Sequence, residues 1–479
     1  MIDTSIESHL AKRLCQKLKL DETHLLFFIF LFAAAKEGHL CTEFIPSIAP
    51  SLPSLELEDT DFQIIRESYL ELKEKDLAPF VFFEGHRVML KIQKEMQEKL
   101  YMHFSRLIEK NLKLITGGPG TGKTTYIQNY LTTLENTTRI ALLAPTGRAA
   151  CHLSQKVPKA AASMTLHRFI HQYKQSFAFD VIVVDESSMI DVHLMLQLLQ
   201  GIKENTQLIL VGDPYQLPAI ESGSVFLDFV KICQKKYPHA IVELKKNYRT
   251  KSKQIQAFSE ALLEQNTHFL NTIFSKTLDD IVPLSIIDAQ KKAHAFFYTL
   301  SQIQEPKNFF EKLKEFVMLS CFNHGIFGVQ KSNEEIFQML KETHQTKLCL
   351  PVLLTQNMHS LELFNGDVGM LVLEKKHAYR WHLAYVYFIT KGRIQKYLVH
   401  TLPSIKLAFC LSIHKSQGSE YDDVLLMLDK EAHLFGKELL YTAVTRAKSK
   451  LYLVGEKKEY ALIATQKTCR LSQLQTAFA

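Results

Sequence analysis

Gly117-Gly118-Pro119-Gly120-Thr121-Gly122-Lys123-Thr124 fits the phosphate-loop pattern G-x-x-x-x-G-K-[ST], and its surroundings supply the context that the pattern needs. The apolar run Leu112–Thr116 before it reads as a buried strand, and the segment from Thr124 onward as a helix. Glycines let the backbone turn so tightly that several N–H groups converge on one phosphate, and the helix N-terminus adds its positive end. The set that would hold a nucleotide is therefore Gly117, Gly118, Pro119, Gly120, Thr121, Gly122, Lys123, Thr124 and Thr125. Lys123 would reach the β- and γ-phosphates of ATP, and the Thr124 hydroxyl would ligate Mg²⁺. The competing reading is a plain glycine turn between a strand and a helix.

From Leu112 to about Thr250 short apolar strands alternate with helices, the mark of a parallel sheet covered on both faces. The strands are Leu112–Ile115, Ile140–Ala144, Val181–Val184, Leu208–Val211 and Ile241–Leu244. Ligands gather at the carboxyl ends of such strands, and several of these end in polar residues. Val181–Val184 delivers Asp185 and Glu186: the first would take Mg²⁺, the second would orient and deprotonate an attacking water. A solvated acidic turn is the bland alternative. Leu208–Val211 runs into Gly212-Asp213-Pro214-Tyr215-Gln216, where Gln216 would sense the γ-phosphate. Arg249, in Asn247-Tyr248-Arg249, is a candidate cation for charge developing in phosphoryl transfer. Ala144-Pro145-Thr146-Gly147-Arg148 could hold a nucleic-acid phosphate through Thr146, Arg148 and backbone N–H groups, or be an ordinary strand-to-helix turn.

After residue 251 a Lys-rich helical region leads into a second α/β pattern: Phe316–Ser320, Val352–Thr355, Leu407–Ile413, Val424–Leu428 and Leu451–Val454. It is interrupted by the turn Phe364-Asn365-Gly366-Asp367-Val368-Gly369 and by β-type runs at Met370–Leu373, Trp381–Thr390 and Tyr397–Thr401. That insert, about 365–402, reads as a small β-barrel or meander, with Trp381 as a core residue. His414, Ser416 and Gln417 lie in the loop after Leu407–Ile413 and offer donors suited to a nucleic-acid backbone. Tyr441–Lys448 presents Arg446, which a second domain could extend toward a nucleotide held by the first.

Residues 1–105 carry helix-like patterning interrupted around Pro46, Pro50 and Pro53, with no visible chemistry. A chain of 479 residues is long enough for about three domains. The divisions expected are a helical N-terminal domain at 1–105, a first sheet domain at 106–250 and a second at 251–479. Lys+Arg at 57 against Asp+Glu at 50 gives a net charge of +7, which permits a polyanionic partner without demanding one. The 8 cysteines are scattered without zinc spacing and suit free thiols in a reducing compartment. Leu25–Ala35 is too short to span a bilayer, which takes ~20 residues, and reads as a buried helix. The expectation is a soluble, cytoplasmic protein.

Taken in order, GGPGTGKT, APTGRAA, VDESSMID (Asp185–Asp191), GDPYQLPAIESG (Gly212–Gly223), NYRT, FNGDVG, SIHKSQGSE and YTAVTRAK resemble the superfamily-one helicases, within them the RecD-like branch. The resemblance covers roughly residues 112–455. It implies two RecA-like parallel-sheet domains with ATP and Mg²⁺ in the cleft, an SH3-like β insert in the second, and single-stranded DNA across the top. It assigns Lys123 and Thr124 to phosphate and metal, Asp185 and Glu186 to metal and hydrolysis, Gln216 to γ-phosphate sensing, Arg249 and Arg446 to transition-state charge, and Thr146, His414 and Ser416 to the DNA side. It also implies 5′→3′ movement on single-stranded or tailed duplex DNA, and a heterotrimer with RecB-like and RecC-like subunits. Relatives carry an adenine-reading Gln shortly before the phosphate loop, whereas the nearest here, Gln97, lies farther upstream. Two other readings remain open: a nucleotide-gated protein-binding module without translocation, and a free-standing helicase on DNA or RNA.

Overall fold

The computed structural model describes residues 5–43, 55, 57–75, 77, 80–84, 86–157, 160–174, 176–218, 223–264, 266, 278–343, 346–374, 380–390, 392–430, 432–465 and 474. Residues 219–222 of the GDPYQLPAIESG block and the proline-rich interruption at 46–53 lie outside the described residues.

The N-terminal segment is not wholly helical. Three helices, Ile6–Leu18, Leu25–Lys36 and Asp59–Lys73, pack beside a small antiparallel sheet of β1 (Thr42–Glu43), β2 (Val81–Glu84) and β3 (Arg87–Leu90), in the order β1-β3-β2. Strands of two to four residues leave too little period-2 signal to be seen in sequence. Leu25–Lys36 is the expected buried helix: Phe27, Phe28, Ile29, Phe30 and Leu31 are at most 2% exposed, so little of its surface is left to mark with polar residues. Among the described residues no helix is long and apolar enough to cross a membrane.

The helix Lys91–Ile108 runs through residue 105 and belongs with the first sheet domain. Its Leu100, Phe104, Leu107 and Ile108 join the core under the first sheet, where the Phe104 ring stacks on Phe229 at 3.7 Å between centroids. The N-terminal segment is tied to the same body. Gly223 N–H donates to Gly38 O (2.8 Å), Gln93 Nε2 to His39 O (2.9 Å) and Gln97 Nε2 to Leu40 O (3.3 Å). Gln97 is buried and committed to this backbone seam, which takes it out of consideration as a base reader in this conformation.

The first large sheet contains β4 (Leu112–Gly117), β5 (Ile140–Ala144), β6 (Ala162–Thr165), β7 (Val181–Val184), β8 (Gln207–Gly212) and β9 (Ile241–Leu244), all parallel, in the order β6-β5-β7-β8-β4-β9. Leu208 and Leu210 face one core, Ile209 and Val211 the other. Alternation is present, but both sides are apolar, so the strand reads as one continuous hydrophobic run. Parallel pairing brings the carboxyl ends of all six strands to one edge of the sheet.

The second parallel sheet holds β10 (Ile281–Pro283), β11 (Phe316–Ser320), β17 (Cys410–Ser412), β18 (Tyr421–Met427) and β19 (Ala447–Val454), in the order β10-β19-β18-β11-β17. Two expectations need correction here. Val352–Thr355 is not part of it: the residues to Leu354 belong to β12 (Lys347–Leu354), a strand of a separate antiparallel sheet. The run Leu407–Ile413 splits, its start lying in β16 (Ile405–Leu407) of the antiparallel sheet and its middle in β17.

That antiparallel sheet is completed by β13 (Val368–Glu374), β14 (Tyr385–Thr390) and β15 (Arg393–Leu398), in the order β15-β14-β13-β12-β16. Its outer strands, β15 and β16, do not pair, so among the described residues it is an open five-stranded sheet rather than a closed barrel. It is rooted in strands on both sides of 365–402. Trp381 sits in a short turn, half-buried against the core shared by this sheet and the second parallel sheet. The Phe364 ring of the FNGDVG turn lies where a Cβ on Gly147 would be, so the glycine of APTGRAA admits a contact between the first sheet domain and the insert.

Candidate active site

The phosphate loop leaves β4 between its neighbours β8 and β9 and enters the helix Lys123–Thr132. Gly120 and Gly122 hold φ of +78° and +85°, the left-handed region that glycine enters without a Cβ penalty. At Gly120 a side chain would also collide with Cβ of Arg249. Thr121 Oγ1 donates to Gly118 O (2.8 Å), while Lys123 Nζ folds back to donate to Gly117 O (2.7 Å) and Gly118 O (2.9 Å). The lysine ammonium thus sits inside its own loop, capped by carbonyl oxygens that a phosphate would replace. Pro119 is buried in the same loop, and Thr124 and Thr125 stand in the first turn of the helix.

Asp185 and Glu186 follow β7 at the same edge. Asp185 N–H donates to Leu143 O (2.9 Å), and Glu186 N–H is held by Asp185 Oδ1 (2.9 Å). Glu186 has φ +52°, a left-handed backbone that costs a residue with a Cβ roughly 1–2 kcal/mol.

Asp213, at the end of β8, is a site residue that sequence reasoning missed, although a carboxylate at a strand end was signal enough. It is 1% exposed and accepts from Tyr215 N–H (3.1 Å), Gln216 Nε2 (3.1 Å) and the Tyr441 hydroxyl (3.2 Å). Burial raises its pKa, against the pull of Lys123 and these three hydrogen bonds. A carboxyl that holds its proton more tightly folded than unfolded stabilises the fold at low pH, and that contribution is lost as pH rises through the folded value. Asp213→Asn removes this titration and is therefore expected to gain melting temperature relative to the parent on going from a pH near the ordinary aspartate value of 3.8 to pH 8, while hydrolysis falls. Melting curves of both proteins at the two pH values check this.

Tyr441 and Thr442 come from the helix Lys437–Val444 of the second sheet domain, so Asp213 joins the two halves. Leu217 N–H donates to Thr442 Oγ1 (3.0 Å) and Gln417 Nε2 to Leu217 O (3.3 Å). Nothing in sequence spacing marks Tyr441 or Thr442, because their partners lie more than 220 residues away.

Arg446 is 2% exposed. Its Nε donates to Thr442 O (3.0 Å) and Nη1 to Ser419 O (3.1 Å), and Nη2 has no hydrogen-bond partner. Burial works against its charge, and the opposing pull comes from Glu186 and Asp213. An arginine keeps its proton in such a place. A buried cationic donor within the field of two carboxylates of the other sheet domain suits an incoming anionic oxygen. Arg249 lies against the phosphate loop, with Tyr248 N–H donating to Gly120 O (2.9 Å), and its Nε pairs with Glu420 Oε2 of the second sheet domain.

The residues expected on the DNA side divide. Arg148 is exposed at the start of its helix, behind the N-cap Thr146, whose Oγ1 accepts Ala149 N–H (3.3 Å). His414 is half-buried, and burial lowers its pKa. Ser416, by contrast, is 0% exposed with its hydroxyl donating to Ile413 O (2.7 Å), and Gln417 spends its amide on Leu217. In this conformation Ser416 is buried and closes its own turn, and Gln417 bridges domains.

Known proteins share both halves of this arrangement. The AAA domain family matches residues 94–277, and the UvrD-like helicase C-terminal domain family matches residues 407–454. The chain is 30% identical over 413 residues to RecBCD enzyme subunit RecD of Mycobacterium tuberculosis, covering 77% of this chain and 71% of that protein. It is 29% identical over 414 residues to RecBCD enzyme subunit RecD of Mycolicibacterium smegmatis, covering 77% and 72%. A crystal structure of Bacteroides Pif1 bound to ssDNA superimposes with a TM-score of 0.43 at 16% identity, covering 76% of this chain and 93% of that one.

Proposed function

The chain belongs to the RecD family of RecBCD enzyme subunits, and on that footing we propose that it is an ATP-hydrolysing superfamily-one DNA helicase, the motor of a RecBCD-type complex. The observation that carries the reading is Arg446. A guanidinium from the second sheet domain is buried within the electrostatic field of Glu186 and Asp213 of the first, with one donor, Nη2, left without a partner.

In this reading the loop N–H groups from Gly118 onward and Lys123 hold the nucleotide phosphates, the lysine exchanging its two carbonyls for phosphate oxygens. Thr124 and Asp185 would hold Mg²⁺, which when bound neutralises charge on the phosphate oxygens. Glu186 orients the attacking water and takes its proton. Arg446 and Arg249 meet the charge that develops on the γ-phosphoryl group, and Gln216 relays its presence through Asp213 to Tyr441. Residues 106–250 and 251–479 close on ATP and open after hydrolysis, advancing along single-stranded DNA from 5′ to 3′ across Thr146, Arg148 and His414. RecB-like and RecC-like subunits would complete a cytoplasmic heterotrimer, residues 1–105 offering the docking surface.

The test is ATP hydrolysis with and without single-stranded DNA, and then unwinding of duplexes carrying either a 5′ or a 3′ tail. Stimulation by DNA and a preference for the 5′ tail are expected. An ATPase indifferent to DNA would point instead to a nucleotide-gated protein-binding module.

A further inference from the structure

We infer that Glu420 is a positioning residue that ties the DNA-side loop, residues 414–419, to Arg249 over the phosphate loop and so couples DNA occupancy to hydrolysis. This rests on the reading of the chain as a DNA-dependent ATPase. Glu420 ends that loop and stands at the junction of three cations. Its Oε2 pairs with Arg249 Nε, its Oε1 with Lys448 Nζ at 3.1 Å, and Arg446 adds its field. Burial alone would raise the pKa of the carboxyl, yet Arg249, Lys448 and Arg446 outweigh it and hold Glu420 below the usual glutamate range.

The backbone on either side of Glu420 carries the second arginine. Ser419 O accepts Arg446 Nη1 (3.1 Å), and Tyr421 N–H donates to Arg446 O (3.0 Å). Consecutive residues at the end of this loop therefore hold two arginines: Ser419 and Tyr421 hold Arg446, and Glu420 holds Arg249, which lies against the phosphate loop. A displacement of this loop cannot leave either guanidinium where it was. Within the loop Gly418 takes φ +73°, and a Cβ there would meet nothing within 4 Å. Against the first domain the loop is held by Gln417 Nε2 on Leu217 O. The Arg249–Glu420 pair is about one-third exposed on both sides, 30% and 39%, and such pairs add little to stability. Its consequence is geometric: it fixes where Arg249 points relative to the loop that meets DNA.

The experiment measures kcat and KM for ATP, with and without a single-stranded oligonucleotide, in the parent and in Glu420→Gln. Glu420→Gln is expected to lower the ratio of DNA-stimulated to DNA-free kcat by about tenfold, a coupling of ordinary allosteric size. KM for ATP should stay within about twofold, which a general loosening of the site would not allow. Glu420→Asp keeps the charge on a shorter stem and is expected to retain an intermediate ratio; it also serves should the glutamine variant fail to fold. A parental ATPase that ignores DNA overturns the underlying functional reading. A parent stimulated by DNA beside a folded Glu420→Gln with the same stimulation overturns the role of Glu420 alone.

Discussion

Lys123→Ala is expected to leave a folded chain that hydrolyses ATP about 10³-fold more slowly and does not unwind DNA, the loss expected on removing a main charge stabiliser from a reacting site. The fold should survive because the Lys123 ammonium is bonded only within its own loop, to the carbonyls of Gly117 and Gly118. The sheet beneath rests instead on apolar residues such as Leu114, Ile115 and Ile127. Removing Lys123 also removes a positive charge from beside the buried Asp213. The inactive variant should therefore show a small change in melting temperature rather than unfolding. Circular dichroism establishes the fold, and ATPase and strand-separation assays give the rate. Unwinding at the parental rate by a folded Lys123→Ala chain would sink the motor reading.

Arg446→Ala is expected to keep nucleotide affinity and lose hydrolysis by about 10³-fold or more, the range found for an arginine that acts only on transition-state charge. The alanine also orphans the carbonyl of Ser419, a cost of roughly 1–3 kcal/mol for a buried group, while Thr442 O keeps the Thr445 hydroxyl (3.1 Å). A fall in rate alone is therefore ambiguous. Binding of a fluorescent ATP analogue separates the two effects: unchanged affinity with lost turnover marks a transition-state role, and unchanged turnover marks Arg446 as structural. Arg446→Lys, which keeps the charge but cannot reproduce the planar fork, should recover only part of the rate.

Much of the nucleotide site was legible because its chemistry is local. The phosphate loop lies within eight consecutive residues, and Asp185 and Glu186 adjoin the strand that presents them. The second sheet was harder. Val352 and Leu425 both occur in short apolar runs, yet one belongs to an antiparallel sheet and the other to a parallel one. Each is fully buried, and burial on both faces erases the polar alternation that would tell them apart. The small sheet at β1–β3 was invisible for a different reason, its strands being too short to show a period.

Ser416 and Gln417 show the limit from the other side. Both are polar residues in a loop after a strand, a pattern that suits a nucleic-acid backbone, but hydroxyls and amides satisfy protein carbonyls equally well. Only packing reveals that Ser416 closes its own turn and Gln417 reaches Leu217.

The sequence by itself determined the nucleotide-facing edge of the first sheet and the family of motors to which the chain belongs, because those depend on residue types at fixed short spacings. Tertiary structure decided how that edge is completed. The contacts of Asp213 with Tyr441, of Arg249 with Glu420 and of Leu217 with Gln417 are set by how two sheets lie against each other. That arrangement depends on side chains far apart in the chain burying one another, and no spacing along the sequence records it.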